Sequence, residues 1–387
     1  METSHVMLFR PQKDRKFYII LKSCSLKKSC STMNYLSCKS ILQLRAMQKQ
    51  WMIGSVRTLF TKSFLGIEDY EVRRSTQLPF DPKAMEIETK AGKMARFMKY
   101  WVHVMKRDEC VEKFSEIQTN LQLIHSDEKQ MKAFNFGTVV MRMFHYHDLP
   151  NQALKIFNNE QIPLMFDKLE SKFVLLDLLF NHKMYEDVLH IIKINHEKQE
   201  KVQKGMSPQL NCLALAACYK LNTEEHLKYG LQFWNKLPKE KQLFQSGTFL
   251  SMLAINLGQP NIALEILESN IQQHFVQVFV RLIALADCGY FVEAAQLIEG
   301  SKRDFPKITI YDSVVERIEK SLEKYPASEE KTNFSKLLDT IPIYKQNNYS
   351  IDELLCLPIN RNRGLTPEHY SPNYIGYKKD KLRNSSE

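Results

Sequence analysis

The sequence is short of glycine and lacks the motifs of the common nucleotide-binding enzymes. Its 387 residues include 12 glycines, well below the usual share of about 7%, which argues against a fold built of sheets and tight turns. Neither G-x-x-x-x-G-K-[ST] nor G-x-G-x-x-G occurs. No apolar run approaches the roughly 18 residues of a membrane span, since Lys22 interrupts the longest one near Phe17. We therefore expect a soluble protein without a membrane span.

Cysteine and histidine usage gives no sign of a metal site or a disulfide framework. Eight cysteines are present, none in a C-x-x-C pair, and we interpret them as reduced thiols, several of them in the core. Cys212 and Cys218 are too far apart along and around one helix to form a local metal pair. His145 and His147 diverge on a helix and have no cysteine or carboxylate cluster beside them. The sequence thus predicts no catalytic residues, no metal and no cofactor, and the protein is not expected to be an enzyme.

Acidic residues are missing from the start of the chain. None lies between Asp14 and Glu68, and residues 1–66 hold 12 Lys and Arg against 2 Asp and Glu. Subtracting these from the totals of 54 and 44 leaves 42 charges of each sign in the other 321 residues. The body of the protein is therefore predicted to be neutral, which weakens the expectation of a strongly cationic nucleic-acid binder.

Residues 1–66 have the composition of a mitochondrial targeting leader, which we expect to be disordered. They are rich in Arg, Lys and Ser, and residues 41–51 form an amphipathic stretch. The natural start could be Met1 or Met33, and we expect cleavage within residues 58–66. The alternative is a disordered basic tail that binds RNA or acidic lipid.

One pattern recurs along much of the remaining chain. Moving Phe136–Phe157 along by 35 residues places it on Ser171–Ile192, with apolar residues falling on apolar residues. Five imperfect units of about this length fit between Phe136 and Ile298, each with two apolar stretches at helical spacing and a polar break between them. A period of about 35 residues is typical of stacked helical hairpins. We predict an all-α fold, an α-solenoid of about five to six degenerate helix-turn-helix repeats.

The flanking segments complete the predicted organisation. Residues 67–90 are polar, contain two prolines and are expected to be a linker. Residues 91–325 form the helical repeat array with its caps. Residues 326–387 contain a short helix, which a capping box of Ser350 and Glu353 opens, followed by a basic tail.

The details of the repeat favour one of two classes that share this period. Gly289–Ala294 matches the G-x-x-x-E-A step of pentatricopeptide repeats, and Leu175–Asp177 is similar to their L-[IL]-D element. Repeats of that class mostly bind single-stranded RNA. The Trp and Pro positions expected of tetratricopeptide repeats, which mostly bind peptides, are missing.

With these motifs the chain resembles the mitochondrial pentatricopeptide repeat domain-containing protein 2 family. The best-matching run is Leu213–Asn222, with support from Leu175–Asp177 and, near the end of the chain, from residues 355–356 and 361–363. The resemblance covers about residues 134–298 and that late patch. It implies a mitochondrial matrix protein of helical repeats that takes part in the maturation of mitochondrial RNA and so supports the respiratory chain, without a catalytic domain.

The family's base-facing position on the first helix of each repeat can be carried over to five residues. The RNA-facing candidates are Thr138, Phe173, Cys212, Thr248 and Phe279. Threonine suits hydrogen bonding to a base edge, and phenylalanine could stack on a base. Phe173 and Phe279 are at least as well explained as core residues. No RNA sequence can be decoded from this set.

Two functions follow from these expectations. The first is an RNA-binding protein that holds single-stranded mitochondrial RNA and acts in mRNA processing, with the mitochondrial ribosome or RNA-processing proteins as further partners. The second is a protein-binding helical-repeat scaffold, such as a component of the small mitoribosomal subunit or an assembly factor.

Overall fold

The described part of the chain folds into helical hairpins that follow one another in sequence order. The computed structural model describes residues 59–76, 89–201, 207–268, 274–304, 309–344 and 349–356, all within one compact unit that starts at Val56. These ranges contain helices and a single parallel β-bridge between Ile310 and Ile343. No helix in them is long and apolar enough to cross a membrane.

Nineteen α-helices lie within these ranges, and the expected all-α fold is confirmed. They are α1 (Lys62–Leu65), α2 (Ile67–Thr76), α3 (Lys90–Val104), α4 (Arg107–Glu112), α5 (Phe114–His125), α6 (Glu128–Ala133), α7 (Phe136–Tyr146), α8 (Pro150–Phe157), α9 (Leu169–Asn181), α10 (Tyr185–Lys201), α11 (Pro208–Leu221), α12 (Glu224–Lys236), α13 (Phe244–Asn256), α14 (Pro260–Glu268), α15 (Phe275–Cys288), α16 (Phe291–Asp304), α17 (Asp312–Leu322), α18 (Glu329–Asp339) and α19 (Ile351–Leu355). A short 3₁₀ turn lies at Lys239–Lys241.

The predicted repeat units correspond to five hairpins, which pair α7 with α8, α9 with α10, α11 with α12, α13 with α14, and α15 with α16. Two further helices follow, of which α17 packs against α15 and α18 packs against α16. The array predicted from the sequence ends at residue 325 and does not include α18. The buried apolar residues of α18, Phe334 and Leu338, are few among charged neighbours, so its apolar stripe is weak.

Local signals set the ends of these helices. Asn222 and Gly289 adopt the left-handed conformation, with φ of 53° and 76°, and end α11 and α15. Thr223 caps the next helix, since its Oγ1 accepts a hydrogen bond from the backbone N–H of His226. Pro150 and Pro208 occupy first turns, where their missing N–H costs nothing. The hairpins are therefore encoded locally, as the sequence predicts.

The first helix of each hairpin forms the buried layer of the array. α11 is buried from Leu210 to Tyr219, and α13 from Gln245 to Ile255. α13 contacts α11, α12, α14 and α15, so neighbours surround it on several sides. A helix that is enclosed in this way contributes most of its apolar surface to the core.

Polar contacts connect successive hairpins at their turns. Nε2 of His145 in α7 lies 2.8 Å from the Asp177 carboxylate of α9, and Nε2 of His182 lies 2.6 Å from the Asp148 carboxylate in the preceding turn. The His145 side chain therefore pairs with the next hairpin. This interaction fixes the register between the first two repeat units.

The segment before the array packs as an integral part of the protein, where the sequence analysis expected leader and linker. Leu59 and Phe60 are fully buried, and α2, within the expected linker of residues 67–90, packs against α7. The Tyr70 hydroxyl of α2 donates a hydrogen bond to the carbonyl oxygen of Val102 in α3. Burial of these few apolar residues stabilises the packing of a segment whose overall composition is polar. Most of the expected leader and linker, residues 1–58 and 77–88, lies outside the described residues.

Candidate functional site

All five residues that the sequence analysis assigns to face RNA are buried. Each is at most 5% exposed; they are Thr138, Phe173, Cys212, Thr248 and Phe279. They lie on the first helices, which form the buried layer of the array. Base contact by these residues remains a prediction, and their burial argues against it.

Contacts within the chain explain the burial of the two phenylalanines. The ring of Phe173 lies 5.3 Å from that of Phe60 and 5.2 Å from that of Phe64, between centroids. The ring of Phe279 lies 6.1 Å from that of Tyr311, in the segment that precedes α17. Both rings thus make aromatic contacts within the protein. In this structure they behave as core residues, the alternative that the sequence analysis left open.

The structure reveals a different set of polar residues near the start of the first helices. They are Thr138, Ser171, Asn211, Ser246 and Gln277, one in each of the five hairpins, all at most 7% exposed; we call them the polar row. Four occupy the third residue of their helix, and Asn211 occupies the fourth. Burial of an apolar side chain at such a position would cost less free energy than burial of a polar one.

The sequence alignment missed most of this row because its register is shifted. The first helices of the first two hairpins begin at Phe136 and Leu169, 33 residues apart, whereas the alignment uses a period of 35. The shorter spacing brings Thr138 level with Ser171, and their hydroxyl oxygens lie 2.9 Å apart. Thr138 is therefore the one residue that the prediction and the polar row share.

The middle of the polar row contains an amide without a hydrogen-bond partner. Both side-chain polar atoms of Asn211 are buried and make no hydrogen bond within the structure. Oγ of Ser246, in the next hairpin, is likewise buried without a hydrogen-bond partner. Burying a polar group without a partner costs about 1–3 kcal/mol. Asn211 carries this free-energy cost, whereas the hydroxyl groups of Thr138 and Ser171 form a hydrogen bond with each other.

The last described helix, α19, contacts the end of α11. Asp352 at its start accepts hydrogen bonds from Tyr219 and Lys220 at the end of α11. Cys356, about one turn later, is 5% exposed, and α19 packs against α13. α19 is therefore anchored at the end of α11 and also packs against α13.

A groove between the second helices α10 and α12 combines basic and aromatic side chains. Nζ of Lys193 lies 4.5 Å from the ring centroid of Tyr229, and the Tyr229 ring stacks on Phe233 at 5.9 Å. His196 and Lys236 line the same groove. Cations interleaved with aromatic rings are the chemistry of surfaces that bind single-stranded nucleic acid.

The described residues contain no group of three or more His, Cys, Asp and Glu side chains that could hold a metal ion. Burial raises the pKa of the Cys212 thiol to about 12, and burial raises that of Cys218 to the same range. Both thiols are therefore protonated at neutral pH and are poor nucleophiles and poor metal ligands. Neither cysteine forms a disulfide.

Comparison with known proteins gives one similarity to a repeat protein. The chain is 23% identical over 243 residues to pentatricopeptide repeat-containing protein 2, mitochondrial, from Mus musculus. The match covers 60% of this chain and 62% of that protein, so it spans less than two thirds of the relative. No protein-family model matches the sequence. The similarity and the helical hairpins together support repeats of the pentatricopeptide type.

Proposed function

We propose that the protein binds single-stranded RNA in the mitochondrial matrix and takes part in the maturation of mitochondrial RNA, which supports the respiratory chain. Support comes from the helical repeat array and from the similarity to a mitochondrial pentatricopeptide repeat protein. The protein acts by binding, and other proteins supply any catalytic step. Partners among ribosomal or RNA-processing proteins belong to the same proposal.

The observation that carries this proposal is the polar row. One polar side chain in each of five successive hairpins gives a regular series of hydrogen-bonding groups, as recognition of one base per repeat requires. Asn211 retains unpartnered amide atoms at a position where an apolar side chain would stabilise the fold. An RNA base supplies the missing donor and acceptor.

Because the row is buried, RNA access to it requires helices to separate, and we infer that release of α19 from α11 and α13 is the first step. The helix has five residues, and its polar anchor is Asp352 on Tyr219 and Lys220. The described contacts of α19 are few compared with those of the repeat helices, so its release is the least costly way to expose the first helices. The free protein is therefore in a closed state.

Fluorescence anisotropy with labelled single-stranded RNA tests the proposal on the full chain. Asn211→Leu should weaken binding at least fivefold while it leaves the fold intact or raises the free energy of unfolding by about 1 kcal/mol, since it removes an unsatisfied buried amide. Asn151→Leu is the control, because Asn151 is an exposed amide on α8. Equal RNA affinity of Asn211→Leu and the unchanged protein would count against base contact by the row.

The salt dependence gives a second measurement. Because residues beyond 66 carry 42 charges of each sign, few phosphates are neutralised by the body. Each neutralised phosphate contributes about 0.7 to the slope of log affinity against log salt for a single strand. We expect a shallow slope, and crosslinking followed by sequencing of RNA bound inside mitochondria would then identify the transcripts.

The burial of the polar row favours a second candidate function, a protein-binding scaffold. In that case the covered first helices are core, and partners bind the exposed second helices. Co-sedimentation with ribosomal subunits, together with absence of crosslinked messenger precursors, would support the scaffold. Free sedimentation with crosslinked precursors would support RNA maturation. Cleavage of labelled precursor by the purified protein with Mg²⁺ would contradict both binding functions.

A further inference from the structure

A cavity of about 400 Å³ opens beside the loop that joins the first two hairpins. Its walls come from the end of α8, from residues 158–168 and from α9 and α10. Phe157, Ile191 and Ile194 contribute apolar surface. The volume lies within the range of sites that hold a small molecule, about 300–1,000 Å³.

The ammonium group of Lys172 is the buried charge of this cavity. Its side chain is 12% exposed, and Nζ donates hydrogen bonds to Oδ1 of Asn195 at 2.8 Å and, at 3.5 Å, to Asp167. Burial lowers the pKa of Lys172, and the nearby positive charge of Lys198 lowers it further, although Asp167 opposes both. An ammonium has three donors, so Lys172 can donate a further hydrogen bond to a negatively charged ligand.

Asn195 provides an independent sign of a ligand. The residue is 4% exposed and lines the cavity. Its Oδ1 accepts the hydrogen bond from Lys172, whereas its Nδ2 is buried and has no hydrogen-bond partner. Because Oδ1 faces the ammonium, the amide orientation is fixed, and Nδ2 is a donor that lacks an acceptor.

The residues that line this cavity include Lys172, Lys198 and Asn195, whose side chains all carry N–H donors. A phosphate monoester carries several acceptor oxygens and about two negative charges at neutral pH, which matches this set of donors. The apolar wall at Phe157 and Ile194 suits the body that carries the phosphate.

We propose that this cavity is a binding site for a phosphate monoester on an apolar or aromatic body, held by Lys172, Lys198 and Asn195. A free nucleoside monophosphate and the 5′-phosphorylated end of an RNA present this same chemistry. The site is separate from the polar row, and its occupancy is measurable whether or not the row binds bases.

Two carboxylates at the rim limit the affinity. Asp167 and Glu160 line the mouth of the cavity, and the Asp167 side chain is 52% exposed, so solvent screens much of its charge. Repulsion from Asp167 opposes an incoming phosphate. Asp167→Asn is therefore expected to strengthen binding severalfold, the opposite direction from loss of Lys172.

Isothermal titration of the full chain with AMP tests the proposal. Lys172→Met should weaken AMP binding at least tenfold, and Lys228→Met, an exposed lysine on α12 outside the cavity, should leave it unchanged. Adenosine tests whether the apolar part of the ligand binds without its phosphate, and acetate tests whether a simple carboxylate binds. Thermal unfolding of each variant without ligand separates loss of binding from loss of fold.

The two sources of the phosphate are distinguished with short RNAs. A 5′-phosphorylated oligonucleotide that binds more tightly than AMP, while its 5′-hydroxyl counterpart does not bind at this cavity, identifies an RNA end as the ligand. Stronger binding of AMP identifies a free nucleotide. No saturable binding of either phosphate up to millimolar concentration, or equal binding by folded Lys172→Met, would overturn the proposal. RNA binding that depends on Asn211 but not on Lys172 would contradict this site and leave the row unaffected.

Discussion

Gly137, the second residue of α7, lies beneath the loop of residues 158–168, and its substitution gives a sharp test of the packing. A Cβ at this position would overlap the carbonyl oxygen of Met165 and would lie 2.9 Å from its carbonyl carbon. It would also lie 3.1 Å from Cδ1 of Phe166. Because a backbone carbonyl cannot rotate away as a side chain can, Gly137→Ala must displace the loop.

The size of the effect follows from two opposing contributions. Overpacking of a buried site costs about 1–3 kcal/mol and occasionally more. The rigid carbonyl places this site near the upper value, since Met165 and Phe166 are each 2% exposed and lose packing when the loop moves. Alanine in place of glycine in a helix offsets about 1 kcal/mol. We expect Gly137→Ala to lower the free energy of unfolding by about 2 kcal/mol.

Urea unfolding followed by far-UV circular dichroism measures this change. Gly300→Ala is the matched control, because a Cβ at 300 approaches Nη2 of Arg303 no closer than 4.0 Å. The control should raise the free energy of unfolding by roughly 0.5–1 kcal/mol, the ordinary preference for alanine in a helix. If both substitutions stabilise the protein, the loop does not pack on Gly137 as described.

Three further outcomes are expected. Burial raises the pKa of Asp287, but hydrogen bonds from Arg317 and Lys324 outweigh it and the net pKa is lowered; Asp287→Asn should therefore cost about 2 kcal/mol near neutral pH. The difference in free energy of unfolding between the two proteins should shrink as the pH falls below about 4 and through the lower pKa of the folded state. Urea titrations at several pH values measure this change, and a difference that persists at low pH would contradict the reasoning. Cys212 should resist alkylation in the native protein and react in urea, because burial raises its pKa to about 12, and mass spectrometry after labelling checks this. Asp352→Asn should loosen α19 from Tyr219, seen as faster hydrogen exchange over α19 with unchanged exchange in α7; unchanged exchange over α19 would contradict the assigned anchor.

The repeat was readable from the sequence because its signals are local. Apolar residues at helical spacing, the turn at Asn222 and the cap at Thr223 act within a few residues. The short helix predicted from Ser350 and Glu353 is likewise present with its capping box.

The candidate base-facing residues could not be assigned in the same way. Their assignment required the register between hairpins, and an error of two residues moves a side chain to roughly the opposite face of the helix. The direct contact between Thr138 and Ser171 corrects that register by two residues. α2 and α18 were missed for a related reason: each is stabilised by a few apolar residues that meet distant helices, as Tyr70 meets α3.

The sequence by itself determined the helix pairs, their number in the middle of the array and the reduced, buried state expected of Cys212 and Cys218, because turn chemistry and apolar periodicity act over short distances. The tertiary structure decided which residues are accessible. Contacts between residues more than a hundred positions apart, such as Asp352 on Tyr219, attach α19 to the first helices, and the meeting of a loop with two helices places Lys172 beside Asn195. Such contacts depend on how whole elements pack, and no short stretch of sequence specifies that packing.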